Sequence, residues 1–186
     1  MTESPTRILV TGPPGAGKTT LIKNISQKLM ESGKIVAGFY TEEIRQASKR
    51  TGFDIVTLDK ESVRGQLARI ENAGSNTRAP KVGQYTVLMD DFERISLTAL
   101  EQNKVNRSDF IIIDEIGKLQ CFSRRFQSVV RALYSTNKNI ISTIPLSKGK
   151  PLPLVEELSS RSDTSIMTVS KENRDYLGVS VLKTIL

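Results

Sequence analysis

An α/β domain, with a mainly parallel sheet covered by helices on both faces, is the fold this sequence predicts. Three observations predict it. Apolar runs of strand length alternate with amphipathic helical stretches along the 186 residues. The segment Gly12-Pro13-Pro14-Gly15-Ala16-Gly17-Lys18-Thr19 lies between the first strand and the first helix and satisfies G-x-x-x-x-G-K-[ST] without a mismatch. A fully apolar strand from Asp109 ends in two consecutive acids, Asp114 and Glu115.

Each element has its own signal. Arg7 to Thr11 is a short β-branched run that reads as a buried strand, and Thr20 to Leu29 carries Leu21, Ile22, Ile25 and Leu29 on one helical face. Ser32-Gly33 stops that helix. Lys34 to Tyr40 reads as a second strand that Thr41 to Arg45 continues with a dense group of charges. Gly52 to Leu58 alternates like a third strand, so these two can form an antiparallel pair at the edge of the parallel sheet. Residues 59–83 show only weak periodicity, with scattered glycines and basic residues. They read as a solvated surface loop or as a flap over the site.

Tyr85 to Met89 is a short strand, after which Asp90 or Asp91 caps a helix, with Asp90-x-x-Glu93 resembling a capping box. Asp109 to Glu115 is the next strand. Phe122, Phe126, Val129, Val130 and Leu133 then fall at helical spacing. Asn139 to Ile144 reads as a buried strand, Pro151 and Pro153 open a short helix, Thr164 to Val169 forms the last strand, and Ser170 caps a C-terminal helix. There is no linker and no internal repeat, so one domain spanning residues 1–186 is expected.

Composition excludes several chemistries. The chain has no histidine and one cysteine, Cys121, so an intramolecular disulfide is ruled out, a zinc site is disfavoured and histidine cannot be the general base. No run approaches the roughly 18 apolar residues that span a bilayer. The polar stretch Met1 to Thr6 resembles no targeting peptide, and an intracellular, cytoplasmic protein without membrane contact is expected. The net charge of +7 is spread along the chain without a basic tract, and aromatics make up only 5%, which argues against nucleic acid as a partner. The excess charge suits polyanionic small molecules. Nothing in the sequence defines an oligomer, so a monomer is the default.

The glycine-rich segment points to a nucleoside triphosphate. Its backbone N–H groups can surround anionic oxygens without burying a charged side chain, and the following helix aims its N-terminal partial charge at them. Lys18 would reach the β- and γ-phosphates, and the Thr19 hydroxyl would ligate Mg²⁺, with Thr20 next in the helix. Asp114, at the carboxyl end of an apolar strand, supplies the second metal-side group, since ligands of α/β sheets gather at strand carboxyl ends. The adjacent Glu115 can orient or deprotonate a water in line with the γ-phosphorus, which favours hydrolysis; support of the metal shell is the plainer alternative. Positive charge on the γ-phosphate could come from Arg161 or Arg174, or from Lys118, Lys148 or Lys150, each of which also reads as an ordinary surface residue. Ser142-Thr143 could hydrogen-bond the γ-phosphate or the water, or simply cap its strand. A small kinase, with the basic 59–83 region as an acceptor lid, is the competing reading.

Successive blocks then carry a family resemblance: GPPGAGKTT at Gly12 to Thr20, GFYTEEIR at Gly38 to Arg45, GFDIV at Gly52 to Val56, IDEIGK at Ile113 to Lys118, TIP at Thr143 to Pro145 and KENR at Lys171 to Arg174. Together they resemble the small nucleoside-triphosphatases first described from thermophiles, most closely the cancer-related branch found in animals. The resemblance implies a RecA-like P-loop NTPase fold. It further implies Mg²⁺-dependent hydrolysis of ATP, GTP, CTP and UTP to diphosphate and phosphate, with broad base tolerance and slow turnover. It places nucleotide binding on Gly12 to Thr19, Asp114 and Glu115. One position departs from the family pattern: Gln120 stands where a second glutamate is usual. If that glutamate were the base, this chain would hydrolyse poorly; if Glu115 is the base, the change is benign.

Overall fold

Alternation along the apolar strands buries side chains on both faces of one sheet, and two separate cores result. The computed structural model describes residues 5–70, 78–146 and 149–185. In chain order the elements are β1 (Arg7–Thr11), α1 (Lys18–Glu31), β2 (Val36–Gln46), β3 (Lys49–Thr57), β4 (Arg64–Ile70), β5 (Lys81–Val82), β6 (Tyr85–Val87), α2 (Met89–Ala99), α3 (Gln102–Arg107), β7 (Phe110–Ile113), α4 (Arg124–Tyr134), β8 (Asn139–Thr143), α5 (Pro153–Ser159), β9 (Ser165–Thr168) and α6 (Arg174–Ile185). The nine strands run in the order β5-β6-β4-β3-β2-β7-β8-β1-β9. From β2 to β9 the pairings are parallel, and from β2 outward to β5 they are antiparallel.

The faces follow from residue parity. On β7, Phe110 and Ile112 point into one core with Ile8, Val10, Ile22 and Ile25, against α1 and α6. Ile111 and Ile113 point into the other, larger core with Phe39, Phe92 and Phe126, against α2, α4 and α5. The three phenylalanines form a closed aromatic group, with ring centroids 5.2–6.2 Å apart and mostly edge-to-face.

Several sequence expectations need correction. Residues 59–83 are not a plain loop: Arg64–Ile70 is a strand between β3 and β6. Its alternation is broken by a bulge, because Phe53 pairs with Ala68 while Asp54 pairs with Gln66. Leu67 and Ala68 are therefore both buried although adjacent, and no period of two appears in the sequence. Residues 71–77 lie outside the described residues. The basic side chains of β4 are engaged across the sheet: Arg64 binds Asp54 and Glu42, and Arg69 binds Asp54.

The capping box at Asp90 is not formed. The α2 N-cap is Leu88, whose N–H is held by the Leu67 carbonyl, and Asp90 and Asp91 lie inside the first turn. Glu93 instead accepts a hydrogen bond from Ser123 at 2.6 Å. Phe122 does not belong to the α4 stripe. It sits in a short 3₁₀ turn and is exposed, and α4 starts after Ser123, whose hydroxyl accepts from Phe126 N at 3.0 Å. The short helix α3 carried too little periodicity to be foreseen. At the C-terminal end, Ser170 heads a turn and α6 begins only at Arg174.

Replacing Phe126 by Ala should remove the centre of the aromatic group and destabilise the fold by about 3–5 kcal/mol. Urea unfolding would show this as a lower midpoint with an unchanged slope.

Candidate active site

The loop between β1 and α1 is held in place from the β9 side. Val169 N donates to Thr11 O at 2.7 Å, and Val169 O lies only 2.3 Å from where a Cβ on Gly12 would stand. Only glycine fits there, and the loop departs from β1 at a fixed angle. Gly15 and Gly17 adopt positive φ. Ala16 turns inward into the α1 core, and its N–H is donated to Pro13 O at 3.1 Å. Gly12, Pro14, Gly15, Gly17, Lys18, Thr19 and Thr20 line a cleft of about 820 Å³, whereas Pro13 and Ala16 do not. Lys18 Nζ donates to Gly12 O at 3.0 Å, which folds the ammonium back over the loop.

Asp114 joins this loop to three strands. Its carboxylate accepts from Thr19 Oγ1 at 2.7 Å, from Thr143 Oγ1 at the end of β8, and from Thr41 N on β2 at 3.4 Å. The residue is almost fully buried. Burial pushes its pKa up, and the bonds from Thr143, Thr19 and Thr41 together with the Lys18 charge act against that. Asp114 and Glu115 are joined by a cis peptide bond. Glu115 lines the cleft, and its pKa is pushed up to about 7, first by burial and then by the Asp114 charge, with Lys18 opposing. Gly117 makes room for it: a Cβ there would lie 2.4 Å from Glu115 Oε1 and 3.1 Å from the buried Gln120 Oε1.

The other sequence candidates separate clearly. Lys118 and Lys150 line the cleft, and Lys148 lies outside the described residues. Ser142 is fully buried and accepts from Tyr134 OH at 3.1 Å, so only Thr143 of that pair reaches the site. Arg161 is not at the site. It holds Asp163 at 2.8 and 2.9 Å, and Asp163 also binds Arg7, the first residue of β1. The loop follows the last residue of β1, so the Arg161–Asp163 pair sits at the opposite end of that strand, which is about 13 Å long. Arg174 lies over Gly17 outside the cleft, with Cδ 3.4 Å from the position of a Gly17 Cβ.

Sequence reasoning missed the opposite wall. The β2–β3 hairpin brings Glu42, Glu43, Arg45, Arg50 and Phe53 to the cleft, and Lys23 of α1 joins them. Glu43 binds Arg45 at 2.8 Å and Arg50 at 2.6 Å, and Lys23 bridges to Glu42 at 3.2 Å. The charge density of Thr41 to Arg45 was the available signal; its direction needed the strand register.

The donor set suits a hard cation. Thr19 and Asp114 present two oxygens 2.7 Å apart at the loop, and the buried carboxylate is favoured by a positive partner. Among the described residues no group of three His, Cys, Asp or Glu could hold a metal ion. Among the described residues, too, no helix is long and apolar enough to cross a membrane.

Fold and site together define a P-loop nucleotide-binding protein of the α/β class. The sequence profile of the NTPase family matches residues 7–182, and the chain belongs to that family. It is 46% identical over 175 residues to the human cancer-related nucleoside-triphosphatase, covering 91% of each chain. It is 41% identical over 179 residues to the nucleoside-triphosphatase THEP1 of Thermotoga maritima, covering 96% of this chain and 95% of that one. Among solved structures it resembles that of a human cancer-related nucleoside triphosphatase (TM-score 0.81, 42% identity, 97% of both chains). It also resembles THEP1 from Aquifex aeolicus (TM-score 0.80, 32% identity, 97% of this chain and 99% of the other). The RecA-like P-loop NTPase fold expected from the sequence agrees with these likenesses.

Cys121 is not a nucleophile of this site. Burial pushes its thiol up to about 11, with Arg131 opposing and Glu115 adding to the shift. Iodoacetamide at pH 8 should modify the folded protein at least about tenfold more slowly than the chain in denaturant, as followed by intact mass.

Proposed function

We propose that this protein hydrolyses nucleoside 5′-triphosphates to the diphosphate and phosphate, with Mg²⁺ and with the attacking water positioned by Glu115. The observation that carries the reading is the placement of Glu115. It stands on the wall of the same cleft as Lys18 and Thr19, one residue from Asp114. Membership of the NTPase family and the names of its relatives support the reaction class.

The chain's own groups divide the work as follows. Backbone N–H groups of the loop and the N-terminus of α1 bind the phosphates, and Lys18 exchanges its bond to Gly12 O for phosphate oxygens. Thr19 and Asp114 would hold Mg²⁺, which when bound supplies positive charge to the phosphate oxygens. Thr143 and Thr41 N keep the Asp114 carboxylate turned toward Thr19. Glu115 accepts a hydrogen bond, and then the proton, from a water facing the γ-phosphorus; its raised pKa matches that task near neutral pH. Gln120 cannot take a proton at neutral pH, which supports Glu115 over that position as the base.

Slow turnover is part of the proposal and has a physical reason. Arg161 sits at the far end of β1, and the cleft-lining Arg45 and Arg50 are both bound by Glu43. None of these guanidiniums is committed to the γ-phosphate, where an arginine contributes about 10³–10⁵ in rate. A free nucleotide rather than a nucleic acid is the proposed substrate, and a monomer the proposed acting form. The kinase alternative loses two of its proposed lid arginines, since Arg64 and Arg69 are paired within the sheet.

Phosphate release from ATP, GTP, CTP and UTP, with no acceptor added, tests the reaction. Glu115→Gln should lower kcat by about 10²-fold or more while retaining nucleotide binding, and full activity in that variant would remove Glu115 from the mechanism. Lys18→Ala should abolish both turnover and measurable binding. Chelation by EDTA should stop phosphate release and Mg²⁺ should restore it. Diphosphate formation that requires an acceptor, with negligible rate in water, would establish transfer instead of hydrolysis.

A further inference from the structure

The strand order sets the direction in which a nucleotide must lie. Asp114 and Glu115 follow β7, on one side of β1, while the segment leading to Arg174 follows β9, on the other. A triphosphate whose γ end faces Glu115 therefore carries its ribose and base out of the loop toward β9 and α6. Arg174 stands at that exit. Its Cδ is 3.4 Å, and its Nη1 4.0 Å, from the position a Cβ on Gly17 would take.

The anchor of this side chain is fixed. Asn173 donates to Thr168 O at 2.9 Å and accepts from Ser170 N at 2.8 Å, while Arg174 N donates to Ser170 O at 3.1 Å. The guanidinium itself is lightly engaged. Its side chain is 49% exposed, and the contact to Asp175, itself 83% exposed, is 3.9 Å, the outer limit of an ion pair. Arg174 does not line the cleft that holds Lys18 and Glu115. It lines a neighbouring groove of about 620 Å³ between α1 and α6, whose walls include Leu21, Asn24, Gly178 and Val179. Its lining is mixed, with Leu21, Ile25, Val179 and Leu182 beside Asn24, Gln27 and Lys28, and the planar guanidinium of Arg174 offers one flat contact beside it.

We propose that Arg174 lies against the base of the bound nucleotide and holds the nucleoside end by stacking, in place of the γ-phosphate role its charge suggested. Stacking of a guanidinium on a base uses the π-face that all four bases share, so it adds affinity without discriminating among them. Base tolerance is then a property of this contact. The inference rests on the triphosphatase reading of the cleft, and its test uses product nucleotides so that binding is measured apart from turnover.

Calorimetric titration of ADP, GDP, CDP and UDP, with pyrophosphate as the ligand that lacks a base, separates the roles. Arg174→Ala should weaken all four diphosphates by a similar factor, about tenfold, and leave pyrophosphate affinity unchanged. In turnover assays the same variant should raise KM for each triphosphate while kcat falls by less than about twofold. Arg174→Lys, which keeps the charge but not the plane, should recover less than half of the lost affinity. A parallel loss for pyrophosphate together with a large fall in kcat would place Arg174 on the phosphates and overturn the inference. Unchanged diphosphate affinities would overturn it too. Absence of phosphate release by the unmodified chain would instead count against the triphosphatase reading, with the diphosphate titrations still deciding the role of Arg174.

Discussion

One buried carboxylate holds this site together. Asp114 receives hydrogen bonds from Thr19 at the start of α1, from Thr41 on β2 and from Thr143 at the end of β8, while itself following β7. Four elements that are far apart in sequence are fixed by two oxygen atoms. The desolvation this requires raises the pKa of Asp114, and Glu115 is raised first by its own burial and then by the Asp114 charge. The structural anchor of the site therefore also adds to the upward shift of the neighbouring glutamate.

The sheet serves this anchor. Strands β7, β8 and β1 end side by side because their apolar residues are buried on both faces, which only parallel strands covered by helices on each side allow. The antiparallel extension has a different task. Its edge is held by cross-strand ion pairs, and its hairpin places Glu43, Arg45 and Arg50 on the cleft wall opposite the loop. On that wall Glu43 holds both arginines, so the cations there are paired with a carboxylate.

Cationic residues show how position outweighs residue type. Arg161 and Arg174 are equally basic and close in sequence, yet one is held with Arg7 at the start of β1 and the other lies over Gly17. Gln120 and Glu115 are five residues apart, yet a turn folds both side chains around Gly117. In each case the deciding quantity is a distance that residue identity does not contain.

The sequence by itself determined the phosphate loop, the apolar strand ending in Asp114 and Glu115, and the alternation that makes an α/β sheet, because each is written in local spacing. Local spacing also carried the helical stripes of α1 and α4. The tertiary structure alone decided the β4 strand, whose bulge at Leu67 erases the alternation, and the start of α2 at Leu88, fixed by a carbonyl on a neighbouring strand. It alone decided which arginines approach the loop, since that depends on which end of which strand each one follows. Spacing along the chain reports what a segment can bury; only the packed sheet reports what two distant segments do to each other.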